Sequence, residues 1–590
     1  MTRKRFALIL FLLAAALLLT GCVTEQSTQT EAQTEADSAA ARAVEKAAVE
    51  DIDTLPLEDD ETLYADQDST SLVYFYITVR GGSAADGINH TFQEVNAFTN
   101  TQEEPNTNKI RTGVIFQIGD ETGPLPGEIG YGETMINATM NVRGRSSTTA
   151  TQKSYRIDLY DTAGLWNGQR AIAINKHPYD STRLRNMLYF NLLQKVPGIT
   201  SLRTQFVQVF IKDETAGETA FTDYGLYTQV ELPNGRYLRN HSLSRNGNLY
   251  KANFCEFFRY EDQLLLATDP NYDLETFSEV LEPKTSEDHE KLLAMLDAVN
   301  DYAIPIEETV ETYFNLDNIT SFLAYNILMG NEDTNSQNYL LYSPLNATVW
   351  YFLCWDGDTS LSYYEDSLFE EFDDYAAWQR GISNYWGMQL FNRMLRVDEY
   401  RAALVEKMEL LHAVITPGLI AEEIASYRTV VDTFTQRMPD LLYMPTTLAN
   451  LELIYENMPY DVEITYTYFL ESLKEPMPFY LGYVVAQADN TLCLNWDEAY
   501  SFEAETVHYT LEIATDWSFS DDALVFTGEP QLQLSQSIPM LPAGEYCWRV
   551  TAENENGYTQ MAFDWFVTTE NNHYGMKRFT ISDAGEVLNY

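Results

Sequence analysis

The sequence predicts an α+β chain in which a two-lobed domain is followed by an all-β sandwich. Three observations carry this. Up to about Pro283 the chain is rich in short β-branched and aromatic runs. From Ser286 onward apolar residues recur at helical spacing, as in Leu292, Leu293, Leu296 and Val299. Past Pro476 the pattern turns to alternation, in Leu492, Leu494 and Trp496 and again in Tyr509, Leu511 and Ile513.

Taken in order, the chain begins with a basic segment, Arg3, Lys4 and Arg5, and an apolar stretch from Phe6 to Leu19 that is short for a membrane span. Leu19-Thr20-Gly21-Cys22 follows and resembles a bacterial lipobox. That resemblance implies a signal peptide over 1–21, cleavage before Cys22 and lipidation of Cys22, with the acyl chains holding the mature protein on the membrane. An ordinary signal peptide or signal anchor is the alternative. Residues 22–71 are rich in Thr, Gln, Glu and Ala and hold no aromatic residue before Tyr64, so they read as a disordered tether. Ala39 to Glu50 could form a transient helix within it.

Residues 72–475 form the two-lobed domain. Leu72 to Arg80 reads as a strand, and Gly81 to Gly132 as loops with one strand near Val114 to Ile118. Strands resume at Ile136 to Val142 and Tyr155 to Leu159, separated by the small, polar Arg143–Gln152 loop. Such a loop can fold over phosphates with its N–H groups and its arginines, or be an ordinary hairpin turn. A helix is predicted over Ser181–Lys195, and a strand over Tyr224–Leu232 that stops at the turn signature Pro233-Asn234-Gly235. Helices follow over Thr309–Met329, Leu390–Leu411, Gly418–Arg437 and Thr447–Asn457, with an acidic run at Glu370–Asp374. Residues 480–569 resemble a fibronectin type III or related Ig-like sandwich, anchored by Trp496 and Tyr546. Cys493 and Cys547 fall on the opposite parity from those anchors and should point outward without forming an inter-sheet disulfide. Residues 570–590 read as a polar tail.

The most informative stretch is 330–358. An apolar helix, Ile319 to Met329, runs into Gly330-Asn331-Glu332-Asp333-Thr334-Asn335-Ser336-Gln337-Asn338, then a short strand, a turn, a second strand and Trp355-Asp356-Gly357-Asp358. Protein kinases use this order of parts: a catalytic-loop Asp, an Asn five residues later, a hairpin, and a metal-binding Asp. The chemistry needs a group near the nucleophile and oxygen ligands for Mg²⁺ on the phosphates. Asx caps on a solvated turn would account for Asp333 and Asn338 alone. A calcium loop beginning at Asp356 would want Gly at 361 and Glu at 367, where the chain has Leu361 and Ser367.

The chain resembles the spore coat protein H (CotH) kinase family. The resemblance rests on Asn141-Val142-Arg143-Gly144-Arg145-Ser146-Ser147, Lys153 to Leu159, Asn175-Lys176-His177, Arg183-Leu184-Arg185-Asn186, Tyr224 to Tyr227 leading to Glu231, Leu249-Tyr250-Lys251, Asn331-Glu332-Asp333 and Trp355 to Asp358. It implies an atypical protein-kinase-like domain that transfers phosphate from ATP, with Mg²⁺ or Mn²⁺, to Ser or Thr. Asp333 would be the catalytic-loop acid and Asp356 the metal-binding acid; beside them Asn338 reads as a further metal ligand and Asp358 as an acid that supports the first metal's ligands or holds a second metal. Arg143, Arg145 and Lys153 would face the nucleotide phosphates. Lys153 needs an acid, and the predicted Ser181–Lys195 helix offers none, so the partner is either elsewhere, with Glu231 the candidate, or absent. The strand ending at Glu231 could equally be a nucleotide hinge or a plain hairpin edge, and Lys251 reads by default as a structural salt bridge.

The formal net charge of −51 repels phosphate backbones, so nucleic acid is not an expected partner. Roughly 520 residues beyond the tether exceed one typical domain. The five Cys and seven His show no zinc spacing. The expected protein is a lipid-anchored extracytoplasmic kinase acting on surface or secreted proteins. A non-catalytic adhesin or scaffold on a degenerate kinase fold is the alternative, and transfer of a nucleotidyl group a third.

Overall fold

The computed structural model describes residues 56–65, 67–99, 110–368, 376–503, 506–568 and 571–590. The signal segment, Cys22, the tether up to residue 55 and the acidic run at 370–374 lie outside the described residues. Among the described residues no helix is long and apolar enough to cross a membrane.

The strand-rich lobe closes on itself. Its strands are β1 (Leu72–Val79), β2 (Thr112–Asp120), β3 (Ala138–Arg143), β4 (Ser154–Leu159), β5 (Ala171–Asn175), β6 (Thr204–Asp213) and β7 (Thr222–Val230), in the order β1-β6-β7-β5-β4-β3-β2. β2 pairs back with β1, Ile77 opposite Phe116, so the seven strands form a barrel. β1 and β6 run parallel, and the other neighbours are antiparallel. Alternate residues of each strand fill the interior: Phe75, Ile77, Phe116, Met140, Ile157 and Val209 are fully buried there. Among the described residues this closure leaves the lobe no long unpaired strand edge.

The helical lobe is built around a smaller sheet. Strands β8 (Asn248–Ala252), β9 (Leu281–Pro283), β10 (Tyr339–Ser343) and β11 (Tyr351–Cys354) run in the order β9-β8-β10-β11. Helices α1 (Arg185–Leu193), α2 (Glu290–Asn300), α3 (Ile306–Tyr313) and α4 (Leu316–Leu328) precede the 330–358 stretch. Helices α5 (Asp398–Val414), α6 (Pro417–Thr435), α7 (Leu448–Asn457) and α8 (Asp461–Ser472) follow it. The Leu292, Leu293, Leu296 and Val299 stripe of α2 is buried as its spacing predicts. Asn318 of α4 locks the helix to β11, accepting from Phe352 N at 2.7 Å and donating to Phe352 O at 3.0 Å.

Several expectations are corrected. Pro233-Asn234-Gly235 is not a hairpin turn: Asn234 caps a helix at Gly235–Asn240, its side chain accepting from Arg236 N and Tyr237 N. The last part of the tether is docked. Leu57 is buried, Asp59 accepts from Ser201 N at 2.9 Å and lies 2.6 Å from His241 Nδ1, and Gln67 donates to Asn191. The buried His241 supplies the reason, since its ring needs a partner on that side.

The sandwich extends past residue 569. Met576–Ile581 is a central strand paired with Gly544–Arg549, and Val587–Asn589 pairs outside it, so 570–590 is not a tail. Cys547 does lie off the main sandwich core, yet it is 5% exposed, because Met576 and Phe519 cover it. The four described cysteines are free. Leu492, Leu494, Trp496, Tyr509, Leu511 and Ile513 form the core that their alternation predicts.

Candidate functional site

The site lies where the barrel meets the small sheet. β11 ends at Cys354, and the chain then turns through Asp356, whose φ is +56°, a conformation that Asp tolerates better than most residues. Gly357 is required by packing: a Cβ there would stand 2.1 Å from Cγ of Tyr189 in α1. This turn aims two carboxylates into one space. Asp358 is 3.1 Å from Nδ1 of His177, which follows β5, has a φ of +47° and is 5% exposed. Burial and the neighbouring Asp358 charge push the Asp356 carboxyl up to about 7. Burial is the strongest single influence on Asp358 and would raise it too, but the His177 hydrogen bond and charge and the Asp356 hydrogen bond together outweigh it and hold Asp358 low.

Asp333 sits on the adjoining loop, in a 3-10 turn at Glu332–Asn335. Buried Asn331 ties this loop to the acidic turn, donating to Asp356 O at 3.2 Å and accepting from Thr359 Oγ1 at 3.2 Å. Asp333 is exposed at the site mouth; the surrounding protein and the Asp358 charge hold its carboxyl above the ordinary range. Glu332 beside it turns inward, accepts from Tyr363 OH, and is pushed up to about 8 by burial. Asn338 has a φ of +57° and hydrogen-bonds to no described side chain. The hairpin register, Tyr339 opposite Cys354, carries Asn338 to the same end as Asp356.

Two cations face the acids. Arg143 ends β3, lies 5.9 Å from the Trp355 ring centre, and feels the Asp356 and Asp358 charges; burial lowers its pKa. Lys251 of β8 lies opposite Leu340 of β10. Burial and then the Lys284 charge lower its pKa, against the pull of Glu282 and Asp356. Its ammonium makes no hydrogen bond or ion pair with a described residue. The structure therefore brings Asp333, Asn338, Asp356, Asp358 and Arg143 together, and adds His177 and Lys251.

The remaining predicted residues stand elsewhere. Lys153 donates to the carbonyl of Thr148 and stitches its own loop; no charged group contributes to its shift, which burial alone causes. Arg145 is exposed at the start of the 3-10 turn Ser146–Thr149. Glu231 is not a nucleotide ligand or a lysine partner. It is 1% exposed and bound by Arg203 Nε at 3.0 Å, His241 Nε2 at 3.1 Å and Gln169 Nε2 at 3.1 Å. Lys251 and His177 both lie inside segments that carried the family resemblance, and their neighbours there were the available signal. What singles them out is pairing across the fold.

Among the described residues no three His, Cys, Asp or Glu side chains converge as a ready metal site. The donor chemistry nevertheless fits a hard divalent cation. It consists of two adjacent carboxylates, one of which resists ionisation without a counter-charge, and an uncommitted amide oxygen. A family model described as CotH kinase protein matches residues 140–463, more than half of the chain. No curated protein matches the sequence at a significant level.

Proposed function

The chain belongs to the CotH kinase family, and from that premise we propose that it is a lipid-anchored extracytoplasmic protein kinase. It would transfer phosphate from ATP to Ser or Thr of surface or secreted proteins. The observation that carries this reading is the crowded acidic pair Asp356–Asp358 facing Arg143 and Lys251, with Asp333 on the loop beside it. Carboxylates that repel one another serve no packing purpose and call for a cation.

In this reading Asp333 accepts the proton of the acceptor hydroxyl, for which a carboxyl held above its ordinary range is suited. Asp356 and Asp358 hold the cation with Asn338, and His177 fixes the Asp358 carboxylate. Mg²⁺ or Mn²⁺, when bound, neutralises phosphate charge. Arg143 and Lys251 supply donors to the phosphate oxygens, and such preorganised charge carries most of phosphoryl-transfer catalysis. The anchor at Cys22 and the acceptor class are part of the proposal.

A non-catalytic scaffold is the second reading, favoured because Lys153 has no acid and Glu231 is committed to Arg203 and His241. The full chain in detergent, incubated with γ-labelled ATP, Mg²⁺ or Mn²⁺ and a Ser-rich acceptor, decides between them. Asp333→Ala and Asp356→Ala should each lower transfer by about a hundred- to a thousandfold, the scale of losing a proton acceptor or a charge-stabilising group. No transfer by the parent, together with no cation-dependent nucleotide binding, leaves the scaffold. Label arriving only from the α-position means nucleotidyl transfer.

A further inference from the structure

The C-terminal sandwich looks at first like an appendage, since the family match ends at residue 463. Its packing tells otherwise. The segment 376–388 lies between the acidic turn and the later helices, and it is held at both ends by sandwich aromatics. Trp378 packs edge-on against Phe563 at 5.2 Å and against Tyr574 at 6.1 Å. Trp386 stacks on Tyr500 at 5.5 Å and meets Phe502 at 5.8 Å. Arg396 lies over both Trp386 and Tyr500, and Met477 N donates to Tyr500 O at 2.7 Å.

Between those two anchors the same segment grips the turn that carries Asp333. Asn384, 5% exposed, donates to Glu332 O at 2.8 Å and accepts from Asn335 Nδ2 at 3.2 Å. One amide thus spans both ends of the 3-10 turn. Tyr385, 1% exposed, shares a 2.6 Å hydrogen bond with Thr334, whose hydroxyl also donates to Asn331 O. The middle of the segment rests on α8, Ile382 N donating to Ser472 Oγ at 3.1 Å. A short 3-10 turn has weak internal hydrogen bonds and depends on such outside support.

We propose that the sandwich braces the catalytic loop: its aromatic contacts fix segment 376–388, and Asn384 and Tyr385 of that segment fix the position of Asp333. Asn384 and Tyr385 are positioning residues, and a partner that pulls on the sandwich would change phosphate transfer without touching the nucleotide. The consequence for activity rests on the kinase reading of Asp333; the mechanical coupling does not.

The test uses the full chain and two readouts: hydrogen exchange of the backbone over 332–338, and steady-state kinetics with varied ATP. Asn384→Ala should lower kcat by about two- to tenfold, the scale of one or two neutral hydrogen bonds, with KM for ATP within about twofold. It should also speed exchange over 332–338. Tyr500→Ala, in the sandwich, should produce part of the same effect. Combined with Asn384→Ala it should add less than its separate effect, because both act on one path. Phe563→Leu, a milder change at the other anchor, carries the test should Tyr500→Ala not fold. Exchange over 332–338 that is unchanged in the sandwich variants, or effects that simply multiply, would overturn the brace. A parent chain without transfer would overturn the kinase reading instead, and the exchange measurement would still decide the brace.

Discussion

Two acidic clusters mark this domain, one buried around Glu231 and one half-buried around Asp356 and Asp358, and they are resolved in opposite ways. Around Glu231 every carboxylate oxygen has a donor: Arg203, His241 and Gln169 close on it, and Asp59 takes the far side of the imidazole. Burial would raise the Glu231 carboxyl, but the His241 and Arg203 hydrogen bonds win and hold it far below the usual carboxylate range. Around Asp356 the balance runs the other way. Burial and Asp358 push it up to about 7, and only Asp358 has a hydrogen-bonded base. A satisfied buried acid is architecture; an acid crowded by a second carboxylate, with cations nearby, is a place where something binds.

The sharpest way to break this comparison is to neutralise one acid from each cluster. Glu231→Ala should cost about 3–5 kcal/mol in urea unfolding, because it strands a buried Arg203 and His241. Asp356→Asn should leave stability unchanged or raise it, since it removes like-charge repulsion and Asn adopts the φ of +56° at least as readily. It should nonetheless abolish transfer. An Asp356→Asn protein as unstable as Glu231→Ala would make the acidic turn structural and erase the contrast.

The two lysines sharpen the same contrast on the cationic side. Lys251→Ala should weaken binding of the ATP–Mg²⁺ complex about ten- to hundredfold by calorimetry, the scale of a hydrogen bond between charged groups. Lys153→Ala should leave it within about threefold, since that ammonium is spent on the Thr148 carbonyl. Equal losses would mean that the Arg143–Gln152 loop rearranges around nucleotide and brings Lys153 in.

What could be read from sequence follows the range of the contacts involved. The convergence of Asp333, Asn338, Asp356 and Asp358 was legible because one hairpin, β10 to β11, brings them together within a single stretch of chain. The placement of Lys251 beside these acids was not. Lys153 adjoins one strand and Lys251 lies within another, and only the pairing of β8 with β10 puts Lys251 beside the acids. Glu231 was misread for the same reason, since Asp59 and Arg203 reach its cluster from far along the chain. Barrel closure rests on β1 meeting both β2 and β6, a topology that alternation within one strand does not carry. Asn384 and Tyr385 left no signal, as an Asn and a Tyr in a short segment without strand or helix periodicity usually read as local caps.

The smallest expected effect is also the one that separates the clusters by sign. Asp356 has its folded pKa raised from 3.8 to about 7. Its contribution to stability is therefore complete below the ordinary carboxylate range and is lost as pH rises through about 7. Glu231 has its folded pKa lowered from 4.5, so its contribution is present above that value and is lost as pH falls. Thermal melts of the cation-free parent and Asp356→Asn should coincide near pH 4, with the variant about 1–3 °C higher at pH 8. Added Mn²⁺ should raise the parent's melting temperature at pH 8, where the pair is ionised, and not at pH 4, because ligand carboxylates must be deprotonated to bind. Melts of Glu231→Gln should diverge from the parent in the opposite direction, with the deficit largest near neutrality and shrinking in acid. If Asp356→Asn and Glu231→Gln instead showed pH profiles of the same sign, the acidic pair would be charge-compensated within the fold, and its claim to be a cation site would fall with the contrast.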